Sequence, residues 1–489
     1  MRRSGVVAGA NGILLSFLPA IVFSAVYAAT CLLGAVILLL DFRPIVSLFE
    51  HFTGTHAPTL TPAEVSVAVT LLLLPPLFLW AGFISALYLS RWLPVRRLRR
   101  GIGTLRLEHP SVLAFAVFAL AALGAALSLL RAESVTDLFA WLNYQSWIDA
   151  RWQLFQKLSF FEFVNIYTVV PITAAWVALR FRSRSIAGAL LRMAPALISV
   201  GIALAIFQRK AAIIAMTIVL VAWFVDVLRA GRRPALPGLV ATMFVGAAIY
   251  LVLALIPTAG APVNVDRPSQ RDRPATITPA PTTPRASAPS SSPTDIWRID
   301  LDPSEFDPTA AKLLYAGVGV LMRTSAPALY YPIVFPGAHP FYPLDLAQDV
   351  VCSPRLGCRN QGMPDDNIVV WDYMNPQLHG GSIAAPFQFA LYSQGGVQIA
   401  ALGAFVLGLI LAAAWRLVIA TALPAVWAAL LGASVSLLAI NLAIDSPRNS
   451  ILVSYGALWA LLVLVILVAA IHGMNSIRPF RSFSRVEAA

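Results

Sequence analysis

Long apolar runs, most of roughly 18 residues or more, recur along this chain and limit its folding more than any other feature. As a helix, about 20 such residues cross the ~30 Å hydrocarbon layer of a bilayer. The runs fall near 17–40, 65–90, 111–130, 161–180, 188–207, 211–228, 237–257, 393–415, 418–443 and 451–472. Charged residues make up 12% of the chain and hydrophobic ones 58%, whereas a soluble protein carries roughly 25% charged residues. The expected fold class is therefore an all-α polytopic membrane protein with about ten transmembrane helices. The first run is too long for the apolar part of a cleavable signal peptide, so it reads as a span.

A net charge of +12 invites a nucleic-acid reading, but the distribution argues otherwise. Nineteen of the 35 Lys and Arg residues fall in the N-terminus, 91–106, 180–192, 229–233, Arg416 and the C-terminal tail. These are alternate connectors, and cations concentrated on one side mark the cytoplasm. Both termini are then expected inside and the alternate loops outside. Nucleic acid is not needed as a partner; membrane lipid is.

The spans divide the chain into a membrane domain over 1–257, a linker over 258–309, a folded loop region over 310–390, a second membrane segment over 391–473 and a basic tail over 474–489. Pro, Thr, Ser, Ala and Arg dominate 258–309, a composition that cannot bury a core. Aromatic residues return after 310, and 311–322 reads as an apolar helix too short to span. Segment 131–160, with Trp141, Tyr144, Trp147, Trp152 and Phe155, has the composition of a helix at the lipid interface. Cys352 and Cys358 lie in the large outer loop, where a disulfide closing a small loop competes with a metal pair. No matching Cys/His pair stands near enough in sequence to complete a metal site.

Three groups of residues are candidates for chemistry. Arg209 and Lys210 occupy a very tight outer turn, and Arg448 lies in another, Asp445-Ser446-Pro447-Arg448-Asn449-Ser450. Outward cations in short turns suit phosphate or pyrophosphate, whose oxygens accept paired hydrogen bonds from Arg; the competing reading is snorkelling to lipid headgroups. Between Met363 and Ser382 lie Asp365, Asp366, Trp371, Asp372, Tyr373 and His379, which offer a base and a sugar-stacking surface or, more blandly, a solvated loop. Gly395-Gly396 begins the eighth span, where close helix packing is the favoured reading over ligand access. Neither a phosphate-binding Gly-rich loop with Lys nor a His-Glu-x-x-His zinc motif occurs, and mid-membrane ionisable residues are scarce.

The run Gln208-Arg209-Lys210-Ala211-Ala212, the run His379-Gly380-Gly381-Ser382 through Pro386-Phe387, and Gly395-Gly396 resemble the bacterial Wzy-type oligosaccharide repeat-unit polymerases and their O-antigen ligase relatives. So does the layout, with one large outer loop before the last spans. The resemblance implies a GT-C-like bundle in the bacterial inner membrane, its large loop periplasmic, polymerising undecaprenyl-pyrophosphate-linked oligosaccharides without metal, nucleotide sugar or other cofactor. It further implies that Arg209, Lys210 and Arg448 bind the leaving pyrophosphate and that His379 or Asp366 serves as base. A chain-length regulator and a flippase are the partners implied. The rivals are an O-antigen ligase or other GT-C enzyme and, from another class, a polysaccharide or lipid transporter.

Overall fold

The computed structural model describes residues 10–53, 55–89, 107, 111–132, 154, 157–180, 186–206, 209–230, 299–302, 306–343, 366–376, 383–420, 423–452 and 456–476. The described residues form helices, turns and connecting chain without a strand. The chain is an all-α polytopic membrane protein. Among the described residues, eight helices are long and apolar enough to cross a bilayer: Gly12–Leu39, Pro62–Leu89, Ser111–Ala132, Phe160–Arg180, Ala212–Arg229, Gly396–Ile419, Ala425–Ile444 and Pro447–Asn475. A ninth expected span is the helix Ile186–Ala205, with a shorter apolar stretch at Ala194–Ala205. The expected span at 237–257 and the linker at 258–298 lie outside the described residues.

In chain order the helices are α1 (Ala10–Tyr27), α2 (Leu33–Leu39), α3 (Arg43–Thr53), α4 (Pro62–Leu89), α5 (Ser111–Ala132), α6 (Phe160–Val164), α7 (Val170–Arg180), α8 (Ile186–Ala205) and α9 (Arg209–Arg229). After the linker come α10 (Pro308–Ile333), α11 (Asp366–Met374), α12 (Phe387–Tyr392), α13 (Gly396–Ala420), α14 (Ala425–Ile444), α15 (Pro447–Leu452) and α16 (Ala457–Ser476). Short π-helical turns, Ala28–Leu32 and Asn165–Val169, join α1 to α2 and α6 to α7.

Burial separates the centre of the bundle from its rim. In α14, 83% of the most apolar window is buried, against 22% in α5, so α14 is central and α5 peripheral. Leu73, Leu77, Val112, Leu120 and Val465 are all more than half exposed. An apolar rim of this kind is unsustainable in water and natural against lipid tails. The interior is closed by large rings, with Trp176 of α7 against Trp427 of α14 and the Trp415 indole donating to the Leu15 carbonyl at 2.7 Å.

Helices α4 and α13 approach each other closely through their backbones. A Cβ added at Gly82 would lie 2.0 Å from the Phe405 carbonyl oxygen, and one at Gly408 would lie 2.1 Å from that of Leu79. Glycine is therefore required on both sides of this crossing. Buried Ala400, Ala404 and Ala412 share the four-residue spacing with Gly408 and complete a seam of small residues.

Segment 311–322 is not a short isolated helix. It belongs to α10, which continues to Ile333 and packs against the π-helical turn Ala28–Leu32, α2, α3 and α4. Gly34 receives it: a Cβ there would meet the Leu321 carbonyl at 2.1 Å and Ser325 Oγ at 2.2 Å. The Thr324 hydroxyl donates to the Thr30 carbonyl. Thr324 and Ser325, which interrupt the apolar run in sequence, thus sit where the helix docks closely. The segment between the first two spans contains the amphipathic α3, whose Arg43 pairs with Asp300 at 2.7 Å.

Candidate functional site

Helix direction decides which of the candidate residues share an end of the bundle. Val225 of α9 packs on Gly432 of α14, and Arg229 donates to the Val418 carbonyl close to where α13 ends. From that level α14 rises roughly 20 Å to Asp445, while α9 runs back roughly 24 Å to Arg209. The two helices pack together along their length. Arg209 and Lys210, the first two residues of α9, therefore share an end with Asp445 and Arg448. The same end receives α10, α11, α12 and the start of α13, because α13 runs antiparallel to α14.

A buried acid–phenol pair lies at this end. Asp366, the first residue of α11, is 7% exposed, and Tyr331 of α10 donates to its Oδ2 at 2.6 Å. Burial, reinforced by the facing Asp366 and Asp445 carboxylates, holds the Tyr331 phenol well above its usual range. It therefore stays protonated and remains a donor. Phe389 of α12 and Phe335 flank the Tyr331 ring at 5.7 and 5.9 Å.

The connector carrying Arg448 is rigidly built. Asp445 Oδ1 accepts from the Ser446 N–H at 2.9 Å and from Asn449 Nδ2 at 2.8 Å, while Ser446 Oγ accepts from the Asn449 N–H at 3.2 Å. The last of these caps α15, with the Ser446 hydroxyl satisfying the otherwise orphan N–H at the third helical position. Arg448 is half-buried and forms no ion pair among the described residues. Its guanidinium is thus not committed to a carboxylate beside it.

Comparison with known proteins finds no matching family model, no similar curated protein and no similar solved structure. Chemistry at this end has to carry any functional reading.

Of the residues singled out in sequence, Asp366, Arg209, Lys210 and Arg448 converge on one end of the bundle, although the side chains of Arg209 and Lys210 are not among those described. His379, Cys352 and Cys358 lie outside the described residues, as does most of 131–160. His339, the other loop histidine, stacks on Tyr342 at 4.8 Å. The Gly395-Gly396 pair is corrected. Neither glycine packs against a neighbouring span; φ is +152° and +79°, a turn between α12 and α13 that other residues resist. Tyr331 was missed because an aromatic residue in an apolar helix gives no sign of its distant acid partner.

Removing the Tyr331 hydroxyl leaves a buried carboxylate oxygen without this donor. Tyr331→Phe is expected to destabilise the protein by about 1–3 kcal/mol, read as a lower Tm in detergent. An unchanged Tm would mean that the hydrogen bond contributes nothing net.

Proposed function

We propose that this protein is a lipid-linked oligosaccharide polymerase of the bacterial inner membrane, transferring a glycan from undecaprenyl pyrophosphate to a second lipid-linked repeat unit. The observation that supports it is convergence: the two connectors bearing Arg209, Lys210 and Arg448 share an end with the helices of the large loop and with the buried Asp366. A phosphorylated carrier needs fixed cations, and its acceptor sugar needs acids and aromatic rings. Both sets come together at that end.

In this reading the loop-bearing end is periplasmic. Helices α4, α7 and α9 end toward the opposite face, and the basic clusters 91–106, 180–192 and 229–233 follow or overlap those ends in sequence, the pattern expected of cytoplasmic connectors. Arg209, Lys210 and Arg448 hold the pyrophosphate oxygens. As the glycosidic C–O bond breaks, its electron pair passes to the pyrophosphate oxygen, and preorganised cations stabilise that charge. The acceptor hydroxyl attacks the anomeric carbon and gives its proton to Asp366 or His379.

Incubation of the purified full chain with an undecaprenyl-pyrophosphate-linked repeat unit tests this directly. A ladder of longer lipid-linked products is expected. Transfer of glycan to a lipid A core acceptor alone would instead indicate a ligase. Movement of unaltered substrate across vesicles would indicate a transporter, and either result would displace the polymerase.

A further inference from the structure

Three aromatic rings gather where α6 and α16 begin. Phe160 and Phe161 open α6, and both meet Trp459 edge-on, with ring centres 5.0 and 6.2 Å away. The Trp459 indole is fixed in turn, donating to the Leu452 carbonyl at 2.8 Å. Phe161 is 68% exposed, and Leu462, one turn on from Trp459 along α16, is exposed as well. The group therefore presents an open apolar surface toward lipid, at the end of the bundle that carries the large loop.

Rings at a membrane boundary are common anchors. These differ in what stands beside them. Trp459 is tied to Leu452, which lies one turn from Arg448 on the same face of α15, roughly 6 Å along its axis. Arg448 is half-buried and pairs with no acid among the described residues. A second cation at this corner, Arg131 at the end of α5, is already committed: its Nη2 donates to both carboxylate oxygens of Glu162, at 2.8 and 2.9 Å. Arg448 is thus the cation that an incoming anion can engage, and it sits in a connector at headgroup level.

We propose that the surface formed by Phe160, Phe161 and Trp459 docks the isoprenoid chain of a polyprenyl phosphate whose head lies at Arg448, an inference that rests on the polymerase reading. A cation beside an apolar, ring-covered surface complements a lipid with an anionic head and a long hydrocarbon tail. Every five-carbon unit of an isoprenoid carries a methyl branch and a double bond, and such flat, branched units pack on aromatic rings where a saturated acyl chain offers only methylenes. Trp459 is held by its hydrogen bond and Phe160 lies against it, so docking costs little side-chain freedom. The carrier then reaches the site sideways from the bilayer, and its tail stays in lipid while its head is held.

The test separates tail from head. Full-length protein in nanodiscs of phosphatidylethanolamine and phosphatidylglycerol is titrated with undecaprenyl phosphate, and bound lipid is read by native mass spectrometry. Phe161→Ala is expected to weaken binding about 3- to 10-fold and Arg448→Gln about 10- to 100-fold. Because Phe161 faces lipid, its truncation should leave Tm unchanged. A prenyl phosphate of two isoprene units should keep the dependence on Arg448 and lose the dependence on Phe161. Phosphatidic acid should bind more weakly than undecaprenyl phosphate and ignore Phe161. Equal binding of undecaprenyl phosphate by wild type and Phe161→Ala, no binding by either, or the same dependence on Phe161 for phosphatidic acid overturns the docking surface. Phe161-dependent binding in a protein that makes no ladder upholds the surface and removes the polymerase. A ladder from a protein whose Phe161→Ala variant binds the lipid normally does the reverse.

Discussion

Arg209→Ala is expected to abolish long polymer while the protein remains at its normal level in the membrane. The loss should reach about 10²–10³-fold in transfer rate, the scale seen when one preorganised group facing transition-state charge is removed. Arg209 opens α9 at the end that also holds Arg448 and the loop helices. A helix N-terminus adds partial positive charge of its own, so guanidinium and backbone would act on the same anion. Arg209→Lys keeps the charge but loses the paired geometry and should retain part of the activity. Arg448→Ala should weaken transfer with little effect on Tm, since that side chain makes no ion pair among the described residues. Gel analysis of surface glycan, with immunoblots for protein level, reads both quantities. Wild-type chain lengths in Arg209→Ala would detach this corner from the chemistry.

Spans were legible because apolar length is a local property: a run such as 65–90 announces a helix whatever it touches. Nine of the ten expected spans correspond to described helices, with ends shifted by several residues at most. What could not be read was set by distant partners. Thr324, Ser325, Pro327 and Pro332 interrupt the hydropathy of α10, yet Gly34, nearly three hundred residues earlier, gives that helix its groove. Gly395-Gly396 looked like a packing motif because the two are adjacent. The glycines that matter for packing, Gly82 and Gly408, lie apart in sequence on different helices, and nothing local pairs them. The acids of 365–372 were visible as a group, but nothing in sequence distinguishes Asp366, already held by Tyr331, from Asp372.

The α4–α13 seam sets the second large effect, and it concerns stability rather than chemistry. Gly408→Leu is expected to prevent accumulation of folded protein, and Gly408→Ala to lower Tm sharply. A Cβ at Gly408 would meet backbone, the Leu79 carbonyl at 2.1 Å and the Phe83 nitrogen at 2.9 Å, and backbone in a helix cannot step aside as a side chain can. Overpacking of a core usually costs about 1–3 kcal/mol; forcing two spans apart along a seam should reach or exceed the upper end, against a total stability of roughly 5–15 kcal/mol. Gly82→Leu should behave alike, since its Cβ would lie 2.0 Å from the Phe405 carbonyl. Gly201→Ala is the control: nothing lies within 4 Å of its Cβ, and alanine is favoured over glycine in a helix by about 1 kcal/mol. Its Tm should hold or rise. Fluorescence-detected size-exclusion chromatography after heating ranks all four variants against wild type. A Gly408→Leu protein as monodisperse and heat-resistant as Gly201→Ala would mean that α4 and α13 do not cross at these glycines.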